Sequence, residues 1–389
     1  MRYQVPLAAA LIALSLSLSS CQQGRSAEIP NNPPVATSSP SLEPAQAANA
    51  EPVQLEGPNA VPKDTRIVVN IPAFRMDVFR EGSLLKSYKI GIGYPQFPLP
   101  TGFRKAEMII FNPTWTQPNE SWAANPGLVV PAGSAGNPLG PIKVPIGGAN
   151  LIHGGKDLWK IGTFASHGCV GLTNGQVRDF AKVLAEATDT ELKEDTMAWY
   201  LKRRTLTQVV KLARLVPVEL RYETIVIEDG QLHIYRDVYN KKGNTEENLR
   251  AVFDVNGLNF DAVACEEKTR MIEALDVMSG RVKKAVTAAP TPIANQTKEE
   301  KLAAAAARKA EADRVRGLRA QKEIVIDVSS LSGKGYPGPV NLNTGTEYLA
   351  KNADAPTVPK PKRPRRNPTP APLSTPEAVP TPRSIADPQ

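Results

Sequence analysis

Histidine and cysteine are scarce in this chain, three of each among 389 residues. Structural zinc sites draw four ligands from such residues, usually as closely spaced pairs. No Cys-x-x-Cys or His-x-x-x-His pair occurs, and His153, His167 and Cys169 have no evident fourth ligand nearby, so no metal is expected. There is no internal repeat. The apolar run Val5 to Leu18 is too short to span a bilayer comfortably. The basic cluster Lys360, Lys362, Arg363, Arg365 and Arg366 has no groove-reading motif or aromatic stacking platform beside it, so nucleic acid is not expected as a partner. The net charge of +8 speaks for solubility and loose association with anionic polymers or headgroups rather than for fold.

What is present divides the chain into unequal parts. Residues 1–20, with Arg2 ahead of the apolar run, have the layout of a secretory signal. The run ends Leu18-Ser19-Ser20-Cys21, which resembles a bacterial lipobox and implies that Cys21 is acylated as a membrane anchor. Residues 21–63 are rich in Pro, Ala, Ser, Asn and Glu and read as a disordered tether. Residues 286–389 are low in complexity: Lys298–Lys322 is helix-prone, Glu323–Val328 reads as a short strand, and a Pro-rich basic tail follows. Residues 241–285 form an extension of uncertain structure. One compact unit, residues 64–240, remains.

That unit reads as mostly β with a few helices. Arg66–Ile71 alternates apolar and polar residues, Arg75–Arg80 reads as its partner beyond a turn, and Leu84–Ile92 and Lys105–Phe111 continue the pattern. A long Gly- and Pro-rich stretch follows, carrying Trp115 and Trp122; such segments often serve as lids. Both tryptophans are expected to pack beneath it as apolar anchors, with contact to a ligand as the alternative. Gly175–Ala187 has helical spacing with Asn174 as a cap, and Leu206–Leu215 reads as a second helix. Val216–Ile227 reads as strands, and Asp229-Gly230 turns into Leu232–Tyr235, where His233 is a partly exposed strand residue.

Chemistry concentrates in residues 152–170. Ile152-His153-Gly154-Gly155 is followed by Ser166-His167-Gly168-Cys169-Val170. A nucleophilic thiol needs a base, because the thiolate is the reactive form, and backbone N–H donors for the oxyanion it creates. Asn150–His153 reads as a short buried strand delivering an imidazole at its end. Gly168 permits a tight turn that aims the N–H groups of Gly168 and Cys169 at one point. The plainer alternatives make Cys169 a small buried hydrophobe and His153 a satisfied core histidine.

This block, with Asn174 downstream, resembles the catalytic signature of the L,D-transpeptidases, the YkuD-like domain of bacterial peptidoglycan enzymes. The resemblance implies a mixed β-sandwich over roughly Arg66 to Tyr239. It implies Cys169 as nucleophile on a stem tetrapeptide, with release of D-alanine, and His153 as base. Ser166, His167 and Gly168 support the turn and the oxyanion, and Gly154, Asn174 and Trp115 are candidate substrate contacts. An amine acceptor then forms a 3–3 cross-link or a protein attachment; water would make the enzyme an L,D-carboxypeptidase. No cofactor is implied. A non-catalytic, lipid-tethered peptidoglycan-binding protein is the alternative of another class, and a papain-like endopeptidase is disfavoured because it places Cys before His. With Gln22 after Cys21, the expected location is the outer membrane, facing the periplasm.

Two positions depart from the family pattern. Gly171 stands where an Arg is common, and Gln176 where an acid is common. Lys156, Lys160 and Arg178 are the candidates to replace the missing charge. The leftover Cys265 is expected to be buried and inert.

Overall fold

The computed structural model describes residues 57–280 and 298–347. The signal, Cys21, most of the tether and the basic tail lie outside the described residues. The folded region starts earlier than composition suggests. Asn59 is buried, and its backbone N–H donates to Glu223 Oε1 at 3.0 Å.

In chain order the strands of the first half are β1 (Arg66–Asn70), β2 (Arg75–Arg80), β3 (Ser83–Lys89), β4 (Ile92–Gly93), β5 (Gly102–Phe111), β6 (Trp115–Thr116), β7 (Val129–Val130), β8 (Ile142–Pro145), β9 (Leu151–His153), β10 (Phe164–Ser166) and β11 (Val170–Gly171). Helices α1 (Asn174–Ala187) and α2 (Glu194–Lys202) lead into β12 (Gln208–Arg221), β13 (Ile225–Glu228) and β14 (Gln231–Tyr235). Then come α3 (Glu246–Val255), α4 (Cys265–Met278), α5 (Lys298–Ala320) and β15 (Glu323–Asp327).

The main sheet has eight strands in the order β11-β9-β8-β5-β12-β1-β2-β3. It is mixed: β1 runs parallel to β12 and β9 parallel to β11, while the other neighbours are antiparallel. β1 does not alternate apolar with polar: Ile67-Val68-Val69 is a continuous apolar run, which suits burial on both faces. Ile67 and Val69 face one core together with Val177, Phe180 and Leu184 of α1. Val68 faces the opposite side, with Phe79, Val226 and Tyr336. The fold is therefore mostly β with a few helices, as expected, and the sheet is covered on both faces.

The extension beyond residue 240 has a core of its own. The sheet β13-β14-β15 packs against α3 and α4 through Ile227, Leu232, Leu249, Phe253, Met271 and Leu275. The helix-prone segment forms α5, and the short strand expected at 323 forms β15, paired with β14. Beyond it the chain returns to the main sheet. Asn343 N–H donates to Ser87 O at 2.8 Å, and Lys89 N–H donates to Asn343 O at 3.0 Å, so a strap lies along the β3 edge.

Two expectations are corrected. Leu206–Leu215 is not a helix: its Gln208–Leu215 part belongs to β12, where Gln208–Lys211 pair with Phe111–Met108 of β5. The β-branched pair Val209-Val210 fits a pleated sheet better than a helix surface. The helix lies earlier, at α2, which has no side-chain cap to advertise it. Cys265 is exposed rather than buried. It is the first residue of α4, whose inward face is Met271, Ala274, Leu275 and Met278, at helical spacing that passes Cys265 by.

Candidate active site

His153 ends β9 between β8 and β11, where Lys143 and Gly171 are its register partners. Its ring is buried, with Nδ1 2.8 Å from the carbonyl oxygen of Gly154. A carbonyl only accepts, so Nδ1 carries the hydrogen and Nε2 keeps its lone pair. Burial pushes the imidazole pKa down to about 3; the charges of Lys156 and Lys143 add to this, and the carbonyls of Gly154 and Leu139 oppose it. A neutral imidazole at neutral pH is a base in the correct form.

Gly154 is buried rather than open to a ligand. A Cβ there would stand 2.7 Å from Val177 Cγ1 and 3.2 Å from Pro141 Cδ. The position is small because α1 and the loop before β8 close on the end of β9.

The turn from Ser166 to Cys169 joins β10 to β11. Ser166 Oγ donates to the carbonyl of Cys169 at 2.6 Å and accepts the Cys169 N–H at 3.0 Å. Gly168 has φ +92°, a conformation that favours glycine, and its carbonyl accepts from Asn150 Nδ2 at 2.5 Å. Gly93 of β4 lets this turn approach, since a Cβ there would lie 2.3 Å from Phe97 O and 3.0 Å from Gly168 N. Asn150 and Gly93 are braces that motif reading missed; nothing in the sequence sets that asparagine or that glycine apart from others in turns.

Cys169 precedes β11, which pairs with β9 as Val170↔Ile152 and Gly171↔His153. The base candidate thus ends one strand and the nucleophile candidate leads directly into its parallel neighbour. Among the described hydrogen bonds the thiol makes one, to the carbonyl of Ala149 at 3.9 Å, and none to His153. Burial raises the thiol pKa, opposed by the Leu151 N–H and by the charge of Lys156. The resting pair is a thiol beside a neutral imidazole. The Cys169 N–H, expected to face the oxyanion, is instead held by Ser166. Among the described residues, the N–H groups of His167 and Gly168 have no acceptor.

His167 is exposed, and its ring is the centre of an aromatic group. Trp122 stacks on it with centroids 4.0 Å apart at 15°, and Phe97 and Tyr94 tilt against it at 5.0 and 5.4 Å. The loop over residues 112–141 thereby rests on the nucleophile turn through Trp122. Trp115 does not reach it: it pairs with Val130 of β7 and makes none of the described ring contacts with the site.

At the start of α1 the cap is Thr173, not Asn174. Thr173 and Gln176 form a reciprocal capping box. Asn174 Oδ1 instead accepts the Gly155 N–H at 2.8 Å, tying α1 to the turn after His153. Gln176 Nε2 donates to Lys89 O at 2.8 Å and to Asn343 O at 2.9 Å. An acid has no hydrogen for two carbonyls when ionised, which accounts for the amide here.

Of the three cations considered for the vacant charge, Lys156 is in place. A Cβ on Gly171 would stand 2.8 Å from Lys156 Cγ and 2.9 Å from its Cε. Lys160 lies over the ring of Trp159, and Arg178 is on α1. His233 is remote from the site and pairs with Glu323 at 2.5 Å.

Residues 64–197 match the YkuD family, the L,D-transpeptidase catalytic domain. The YkuD match encloses both His153 and Cys169. No curated protein matches the chain. Among solved structures it is similar to the catalytic domain of an L,D-transpeptidase from E. faecium, with 17% identity and a TM-score of 0.26 over 41% of this chain and 98% of that one. It is similar to L,D-transpeptidases from Mycobacterium smegmatis (19% identity, TM-score 0.23, 41% of this chain and 58% of that one) and Mycobacterium tuberculosis H37Rv (15%, 0.22, 40% and 57%). The chain covers under two thirds of the length of either mycobacterial protein.

Proposed function

We propose that this chain is a peptidoglycan L,D-transpeptidase with Cys169 as nucleophile. The observation that carries the reading is that the YkuD-matching segment holds His153 at the end of β9 and Cys169 immediately before β11, the strand in parallel register with β9. On attack, Cys169 Sγ bonds to the carbonyl carbon of the third stem residue while its proton passes to Nε2 of His153. The backbone N–H groups of His167 and Gly168 receive the oxyanion. His153 returns the proton to the departing amine of D-alanine, leaving a thioester on Cys169. An amine then attacks the thioester, giving a 3–3 cross-link or an attached protein, and restores the thiol; water in its place gives the carboxypeptidase reaction. His153 relays both protons: the thiol's leaves on D-alanine, and one from the acceptor amine or water returns to the sulfur.

The setting fits. Cys21 is proposed to be acylated, and the tether to hold the enzyme at the outer membrane facing peptidoglycan, where confinement raises its effective concentration on an insoluble polymer. Cys21→Ser should move the protein to the soluble periplasmic fraction.

Turnover tests the reading. Purified protein with a disaccharide tetrapeptide should release D-alanine, and added amine acceptor should divert the product from the tripeptide to a cross-linked or amine-linked species seen by mass spectrometry. D-alanine release that persists in Cys169→Ala would overturn it.

A further inference from the structure

Two half-buried lysines, Lys143 and Lys156, act on His153 with their charge, and among the described residues neither ammonium makes a hydrogen bond or ion pair, though the charge of Asp157 acts on Lys156. An unpaired ammonium in a partly desolvated place is costly unless something anionic visits it. The two differ in what they face. The charge of Lys143 is felt at His153, whereas that of Lys156 is felt at Cys169, His153 and His167 together.

Lys156 is also a fitted residue. Its stem fills the space over Gly171, where any Cβ would collide with Cγ, Cε and Cδ at 2.8, 2.9 and 3.3 Å. Its backbone is fixed by Lys156 N–H donating to Leu172 O at 3.1 Å, next to Gly155 N–H on Asn174 Oδ1 at 2.8 Å. The far end of the same loop is held from outside the family-matched segment, by Lys322 Nζ donating to Gly162 O at 2.6 Å. A short, anchored loop therefore lays the Lys156 stem over Gly171, two residues past the thiol, with a charge that acts on Cys169; burial disfavours that charge, and Asp157 supports it. Gly171 is what leaves room for the stem.

We propose that Lys156 is a specificity-determining residue: its ammonium holds a carboxylate of the acyl donor beside Cys169, so that the site selects donors with a free carboxylate near the bond that breaks. This rests on the acyl-transfer reading for the donor's identity. The chemistry of the contact does not: any small carboxylate brought to Cys169 would meet the same ammonium.

That independence shapes the test, made on the full-length protein. In one arm Cys169 is alkylated with iodoacetate and with iodoacetamide, and each rate is read at the Cys169 peptide by mass mapping, because exposed Cys265 also reacts. A single charge-assisted contact corresponds to about 10- to 100-fold. Lys156→Gln should lower the iodoacetate-to-iodoacetamide ratio by roughly that factor, and Lys156→Arg should retain most of it. Taking the ratio cancels any change in thiol reactivity common to both reagents. In the second arm, tetrapeptides ending in D-alanine and in D-alaninamide are compared. The wild type should favour the free acid and Lys156→Gln should lose the preference. Gly171→Ala, which displaces the lysine without removing its charge, should weaken the preference in both arms and serves if Lys156→Gln does not fold. An unchanged ratio in the variants, or equal loss on acid and amide, would overturn the proposal and leave Lys156 as a residue acting on the thiol. If the wild type turns over neither peptide, the transpeptidase reading fails, and the alkylation ratio alone decides for or against Lys156.

Discussion

Ser166 and Cys169 hold each other twice, Oγ donating to the cysteine carbonyl at 2.6 Å and accepting its N–H at 3.0 Å. The hydroxyl closes the nucleophile turn on itself and takes up the Cys169 N–H, while the preceding N–H groups of His167 and Gly168 have no acceptor among the described residues. Ser166→Ala removes both bonds and leaves a buried N–H without its partner. The variant should lose about 1–3 kcal/mol of stability in urea titration and at least about tenfold in D-alanine release. Undiminished release would show that the turn keeps its shape without the hydroxyl.

Burial acts on the two reacting groups in opposite directions, lowering the imidazole to about 3 and raising the thiol. At neutral pH the resting pair is therefore uncharged, and thiolate accumulates only above the ordinary thiol pKa of 9.0. Iodoacetamide alkylation of Cys169 in the free protein should climb with pH through the neutral range without levelling. A plateau between about pH 5 and 8 would instead reveal a preformed thiolate–imidazolium pair.

Gln176 joins the family-matched segment to the C-terminal strap through Lys89 O and Asn343 O. Gln176→Glu faces those two carbonyls with a buried carboxylate. It should destabilise the protein by about 1–3 kcal/mol, read from the urea midpoint. An equally stable variant would mean that the strap is held without this contact.

The parts of the fold legible in the sequence are those with a strict period. Ile67 and Val69 alternate with Val68 because the main sheet is covered on both faces, and Val177, Phe180 and Leu184 recur at helical spacing because α1 covers one of them. Local pattern misleads where tertiary pairing overrides it. Residues 208–215 form a strand because β5 offers an edge far away in sequence. In the site, motif reading reached the two reacting side chains and the serine of the turn. It did not reach Asn150 or Gly93, whose roles consist of approaching a turn from other strands, nor the commitment of the Cys169 N–H to Ser166. Trp122 reads from the sequence as an anchor under its loop; its stacking on His167 depends on how the long loop folds back.

The most direct test of the account is the intermediate itself. Protein incubated briefly with a tetrapeptide donor, without acceptor, and measured intact by mass spectrometry should gain the mass of the donor less one alanine, mapped to Cys169 by peptide analysis and absent in Cys169→Ala. His153→Ala should slow its appearance by about two to four orders of magnitude. An adduct on Cys265, an adduct that survives in Cys169→Ala, or D-alanine release with no adduct at any time would contradict Cys169 as the acyl carrier.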